Sequence, residues 1–168
     1  YLLPYDGDAE SPAITAYPLE ALYNYLDSLR AKNIFVFLDA CFSGRSGRHD
    51  GEGFLLAGAR PGILKVKDPI LLSEKMVVMA AAKSNQLSNY YKEQGYGMFT
   101  YYLIKGMIGE ADKNMDKRVS VEELSNYLND EVASASRRLF GLSRFQTPQT
   151  SPWPLGERRN KALIELPR

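Results

Sequence analysis

The 168-residue chain has one cysteine, one histidine and no long apolar run. A single cysteine excludes an intrachain disulfide and a cysteine-rich metal site. No run of about 18 or more apolar residues and no secretory signal pattern is present, so no membrane partner is indicated. A formal net charge of +1 gives no long-range field that would favour nucleic acid. A reactive thiol would favour a reducing compartment, which predicts a cytoplasmic location.

Hydrophobic residues make up 45% of the chain, enough for the core of one domain, and we interpret 1–168 as a single domain. Strand and helix patterns alternate along it, which predicts an α/β fold with a largely parallel sheet flanked by helices on both faces. A long loop is predicted at 42–73 and irregular structure at 141–161. Strands are predicted at 34–38, 75–81 and 162–166, with a strand end at 1–3, and helices at 18–30, 98–108 and 121–140.

The only cysteine, Cys41, follows a strand-like run of five apolar residues within the sequence Asp-Ala-Cys-Phe-Ser-Gly. The carboxyl ends of parallel strands form the edge of an α/β sheet at which ligands bind and chemistry occurs. A structural cysteine more often lies within the apolar run itself, as a small hydrophobic residue. The position of Cys41 therefore predicts a catalytic nucleophile.

Residues 39–44 resemble the nucleophile motif of caspase-like cysteine peptidases, most closely the metacaspase and bacterial caspase-like branch. Segments 1–6, 76–81, 86–88 and 97–102 resemble, in order, further pieces of that domain, so the resemblance covers residue 1 to about residue 150. It implies a caspase-like fold and a peptidase that acts on proteins or peptides. We expect no required cofactor, with calcium as a possible ligand. Ser84, which follows the predicted strand at 75–81, is a candidate substrate-binding residue.

The sequence departs from this family in its histidine. Family members use a histidine upstream of the cysteine as the base, about 50 residues before it in caspases. None of the 40 residues before Cys41 is histidine, and His49 follows it in a Gly- and Arg-rich segment. We therefore expect the base in a segment preceding Tyr1, with the N-terminal strands of the domain. This chain alone would then be an incomplete, inactive catalytic domain.

Asp39 lies two residues before Cys41, so on an extended strand both side chains face the same side. A carboxylate there attracts lysine or arginine and repels aspartate, since like charges in a recognition site cost several kcal/mol. The resemblance implies the same role, because metacaspases bind the basic residue before the scissile bond with the matching aspartate. The alternative is an aspartate that caps the strand end by accepting loop N–H groups, and the two roles are compatible.

Basic specificity would make the predicted loop at 42–73 a substrate. Five basic residues in it are candidate sites of autoprocessing: Arg45, Arg48, Arg60, Lys65 and Lys67. An ordinary solvated basic loop is the alternative interpretation.

A second pattern, residues 112–123, places oxygen-bearing side chains at calcium-loop spacing. The candidate metal ligands are Asp112, Asn114, Asp116 and Glu123. Lys117 replaces the glycine expected at the sharp turn of such a loop, which predicts a strained backbone. Ser120 and Glu123 also form a capping box for the next helix.

Two alternatives to the peptidase remain open: a non-catalytic caspase-like interaction module that kept its cysteine, and a calcium-responsive interaction domain.

Overall fold

The computed structural model describes residues 1–4, 6–8, 11–39, 74–83 and 86–167. The strands are β1 (Ile34–Leu38), β2 (Met76–Ala80), β3 (Tyr90–Tyr91), β4 (Tyr96–Gly97), β5 (Arg118–Ser120), β6 (Gln149–Ser151) and β7 (Ala162–Glu165). The α-helices are α1 (Pro12–Thr15), α2 (Leu19–Ser28), α3 (Met98–Lys105) and α4 (Val121–Phe140). Short 3-10 turns lie at Lys92–Gln94 and Gly156–Asn160, and a π-helix lies at Gly106–Glu110.

The central sheet has the strand order β1-β2-β6. Strands β1 and β2 are parallel and pair over their full length, from Ile34 opposite Met76 to Leu38 opposite Ala80. Strand β6 runs antiparallel to β2. Because β1 and β2 are parallel, both end at the same edge of the sheet, and Asp39 follows β1 there.

Helices cover both faces of this sheet. Ile34, Met76 and Val78 face the buried residues of α2 on one side. The alternating residues Val77 and Met79 pack on the other side with apolar residues of α3 and α4. The alternation follows from the strand geometry, in which successive side chains point to opposite faces. The predicted α/β class with helices on both faces is confirmed.

Helix α4 begins and ends at the residues predicted, and its capping box is present. The Glu123 N–H donates to Ser120 Oγ over 3.2 Å, and the Ser120 N–H donates to Glu123 Oε2 over 3.0 Å. These bonds satisfy N–H groups that have no partner within the helix, which sets its first residue.

Three predictions require correction. The helix predicted at 98–108 is α3 followed by the π-helix, in which Gly109 adopts a φ of 124° that does not continue a regular helix. The region 141–161 contains β6, because its backbone pairs with β2 although its side chains are polar. The segment 1–3 forms no strand, and Leu2 makes only an isolated bridge with Tyr17.

Candidate functional site

The site predicted from the sequence lies at the carboxyl edge of β1, and the structure describes part of it. Asp39 directly follows β1, and its side chain is partly exposed. Cys41, Ser84, His49 and the predicted loop at 42–73 lie outside the described residues. Their predicted roles stay predictions. Asp39 is the predicted site residue at this edge that the structure describes.

The carboxylate of Asp39 accepts three hydrogen bonds from residues far away in the sequence. Ser88 Oγ donates to Oδ1 over 2.5 Å. Thr100 donates to Oδ2 twice, from its hydroxyl over 2.6 Å and from its backbone N–H over 3.3 Å. Charge-assisted hydrogen bonds of this kind are short and comparatively strong. The carboxylate therefore has a fixed orientation, which a side chain held only by solvent would not have.

One of these bonds places Asp39 at the N-terminus of α3. Gly97 is the N-cap residue of that helix and has no side chain to cap it, and Thr100 lies in its first turn. A carboxylate at this end also interacts favourably with the positive end of the helix dipole. Asp39 thus caps a helix, whereas the alternative interpretation of the sequence expected it to cap loop N–H groups at its own strand end.

Gly97 allows this arrangement because it has no Cβ. An alanine Cβ at this position would overlap Asp39 Oδ2 and would lie 2.9 Å from its Cγ. The backbone of Gly97 has φ −58° and ψ 141°, which any residue can adopt. The glycine is therefore required for space and not for its backbone conformation.

Side-chain amides connect the segment that carries Ser88 to the segment before β6. Gln146 is fully buried, and its Oε1 accepts from the Asn89 N–H over 2.8 Å while its Nε2 donates to the Ala81 carbonyl over 2.9 Å. Gln86 Oε1 accepts from the Thr147 N–H over 2.8 Å. These bonds hold both sides of Ser88 and so fix the donor to Asp39.

The predicted calcium loop has a well-defined set of contacts between its own residues. Asp112 accepts from the N–H groups of Asp116 and Lys117 over 3.2 and 3.0 Å. Asn114 Oδ1 accepts from the Asp116 N–H over 2.8 Å, and Asp116 Oδ1 accepts from the Arg118 N–H over 2.8 Å. Side-chain oxygens of Asp112, Asn114 and Asp116 therefore accept backbone N–H groups of the loop itself.

Two residues of this loop have left-handed backbones, Met115 with φ 58° and Lys117 with φ 68°. The strain predicted for Lys117 is confirmed, because this region favours glycine. Glu123, the last candidate ligand, gives Oε2 to the capping box. Across the described ranges, no group of three or more His, Cys, Asp or Glu side chains is arranged to hold a metal ion. Calcium binding stays a prediction.

A further polar cluster lies between α3, the π-helix and α4. Glu110 accepts from Tyr127 Oη over 2.6 Å and pairs with Lys105 over 2.8 Å. The hydrogen bonds from Lys105 and Tyr127 lower the pKa of Glu110. Burial, followed by the bond to Glu110, raises the pKa of the Tyr127 hydroxyl. The cluster connects two helices and lies apart from Asp39, so we assign it to the fold.

Sequence reasoning identified Asp39 but not the residues that hold it. Ser88 and Thr100 lie within segments 86–88 and 97–102, which carried the family resemblance, yet neither was assigned a role. Their separations from Asp39, 49 and 61 residues, carry no local signal. The pair Gly97-Met98 at the start of a predicted helix offered one hint, since a glycine N-cap leaves the cap to a distant side chain.

One of the comparisons with known proteins gives a match for this chain. No helix in the described part of the chain has the length and apolar character needed to cross a membrane. No curated protein and no solved structure gave a match. The model of the caspase domain family matches residues 2–157, which is nearly all of the sequence. The chain therefore belongs to the caspase domain family of cysteine peptidases.

Proposed function

We propose that this protein is a cysteine endopeptidase that cleaves after lysine or arginine, with Cys41 as nucleophile. The observation that carries the proposal is the fixed carboxylate of Asp39, two residues before Cys41 at the carboxyl edge of β1. Two opposite unit charges about 4 Å apart attract by about 4 kcal/mol near a protein surface, and solvent screening of a partly exposed pair reduces this to about 1 kcal/mol. Aspartate before the scissile bond would be repelled by a similar amount.

The proposed reaction is acyl transfer through a thioester. The base takes the proton of the Cys41 thiol, and the thiolate attacks the carbonyl carbon. The peptide C–N bond then breaks as the protonated base donates its proton to the leaving amine. Water then hydrolyses the thioester, which releases the acid product and restores the thiol. The backbone N–H of Cys41 is a candidate donor to the oxyanion, and a donor of this kind lowers the barrier by roughly 3 to 4 kcal/mol. Ser84 is a further candidate contact to substrate.

The proposed reaction also requires a histidine as base. None of the 40 residues that precede Cys41 is histidine. We assign it to a segment that precedes Tyr1, together with the N-terminal strands of the domain, so that residues 1–168 alone would be inactive. Calcium is not part of the proposed chemistry, and a cytoplasmic location follows from the need to keep Cys41 reduced.

Labelling of the intact gene product tests this function directly. Two acyloxymethyl ketone probes would be compared by mass spectrometry, one with a lysine or arginine before the reactive group and one with an aspartate. We expect only the basic probe to label the protein, at Cys41, and Cys41→Ala to abolish labelling. Labelling by the aspartate probe would refute the role of Asp39. A protein that contains the histidine yet reacts with neither probe would be a non-catalytic interaction module.

Basic specificity also leads to a proposal of autoprocessing between β1 and β2. The connection carries the five basic residues named above, and the parallel pairing of β1 with β2 would hold the two fragments together after a cut. Intact-mass spectrometry of the protein and of Cys41→Ala tests this. Fragments that end at a lysine or arginine in the active protein alone would support self-cleavage, whereas identical fragments in both would exclude it.

A further inference from the structure

The two oxygens of the Asp39 carboxylate differ in what they already accept. Oδ2 receives two donors, the Thr100 hydroxyl at 2.6 Å and the Thr100 N–H at 3.3 Å. Oδ1 receives one donor, the Ser88 hydroxyl at 2.5 Å. Each carboxylate oxygen offers about two acceptor positions. The described contacts therefore fill Oδ2 and leave one acceptor position on Oδ1.

The two oxygens also differ in how close they lie to Gly97, and Oδ2 is again the more crowded one. Oδ2 is the oxygen pressed against the backbone of Gly97, because a Cβ there would overlap it, whereas that Cβ would lie 3.2 Å from Oδ1. Oδ2 is thus the inner oxygen, enclosed between Gly97 and the first turn of α3. Oδ1 lies farther from Gly97 and accepts no hydrogen bond from the first turn of α3, and we call it the outer oxygen.

This asymmetry bears on which basic residue the site accepts. A guanidinium group binds a carboxylate best as a fork, with two parallel N–H bonds to the two oxygens. A lysine ammonium group acts as a compact point charge and needs only one oxygen. Resting on the proposed function, we infer that Asp39 binds substrate through Oδ1 alone, and that Thr100 thereby makes the site prefer lysine over arginine.

The test uses three variants of the intact gene product. Thr100→Ala removes the hydroxyl and frees one acceptor position on the inner oxygen. Thr100→Ser removes only the methyl group and keeps the hydroxyl, so it controls for the space created. Ser88→Ala removes the hydroxyl from the outer oxygen of the same carboxylate. Each protein would be assayed for kcat/KM on two fluorogenic peptides that differ only in lysine or arginine before the scissile bond, after thermal melting has verified folding.

We expect the unmodified protein to cleave the lysine peptide faster. Thr100→Ala should raise the arginine-to-lysine ratio of kcat/KM about tenfold, the effect of one additional hydrogen bond to a charged group. Thr100→Ser and Ser88→Ala should leave that ratio within about twofold of the starting value, since the inner oxygen stays occupied.

The outcomes separate this inference from the function on which it rests. Cleavage after both residues with faster cleavage after arginine, or a ratio that Thr100→Ala does not change, would overturn the role of Thr100 and leave the peptidase proposal intact. An equal shift in Ser88→Ala would likewise overturn it, because the outer oxygen would then control the choice. Failure to cleave either peptide, with cleavage after another residue, would overturn basic specificity itself.

Discussion

Replacing Gly97 by alanine should destabilise the protein mainly through Asp39. The new Cβ would overlap Oδ2 and lie 2.9 Å from Cγ, so the carboxylate must move away. Moving it breaks the bonds of 2.5 Å to Ser88 and 2.6 Å to Thr100. Solvent competes for a partly exposed carboxylate, so we take about 1 kcal/mol net for each bond, and their loss costs about 2 kcal/mol. The poorer N-cap adds up to about 1 kcal/mol, for a total near 3 kcal/mol.

A double-mutant cycle isolates the part of this cost that depends on Asp39. In an Asp39→Ala background no carboxylate is in the way, so Gly97→Ala should cost only the capping contribution, about 1 kcal/mol or less. The coupling energy should therefore be about 2 kcal/mol, well above the roughly 0.5 kcal/mol expected for independent sites. Urea unfolding followed by circular dichroism would give the four free energies. In a protein of this size 3 kcal/mol corresponds to a fall in Tm of about 6 to 12 °C.

Gly95 offers a matched control for this cycle. Its φ is 75°, and apart from its own chain neighbours no atom of the described residues lies within 4 Å of the place where its Cβ would be. Alanine there costs about 1 to 2 kcal/mol for its left-handed backbone, with or without Asp39. Equal costs of Gly97→Ala in the two backgrounds would refute the reasoning, because the overlap with Asp39 would then have no energetic consequence.

Three further outcomes follow from the structure. Lys117→Gly should stabilise the protein by about 0.5 to 1 kcal/mol in urea unfolding, because its φ of 68° suits glycine, whereas Lys113→Gly in the same loop should not. Glu110→Gln should lower Tm at neutral pH and should not lower it at strongly acid pH. Lys105 helps to lower the pKa of Glu110, so the stability this residue contributes is present above the ordinary value of 4.5 and lost as pH falls through the lowered one. Phe99→Ala should cost about 3 to 5 kcal/mol by calorimetry, because Phe99 is fully buried, and a cost below about 1 kcal/mol would contradict its place in the core.

Where the sequence has a strong local pattern, it predicts the fold well. Strand β1 is a run of five apolar residues, and α4 combines an apolar stripe with the Ser120–Glu123 capping box, so both were predicted with their observed bounds. Strand β6 consists of Gln-Thr-Ser and is held by backbone bonds to β2, for which side-chain patterns carry no signal. The π-helix follows α3 and contains Gly109 with φ 124°, a conformation that the apolar pattern of 98–108 does not predict.

In the candidate site, too, residues within a local sequence pattern were predicted and residues without one were not. Asp39 was predictable because it belongs to a short motif that directly follows a strand. Three other residues contact Asp39 only through the tertiary structure, which brings β3, β4 and α3 to the sheet edge. They are Ser88, Gly97 and Thr100. The residue types themselves, a serine, a glycine and a threonine near element ends, are too common to single out without that juxtaposition.

The helix cap formed by Asp39 restricts how this enzyme family member can change over evolutionary time. The same carboxylate proposed to choose the substrate also holds the first turn of α3. A substitution of Asp39 therefore also removes the hydrogen bonds that cap α3. A change at Asp39 is better tolerated if α3 acquires a cap of its own at the same time, for example a serine at Gly97, whose Cβ has room only without the carboxylate. Under the proposed role of Asp39, selectivity and architecture are inherited as a unit, and a protein engineer would have to redesign them together.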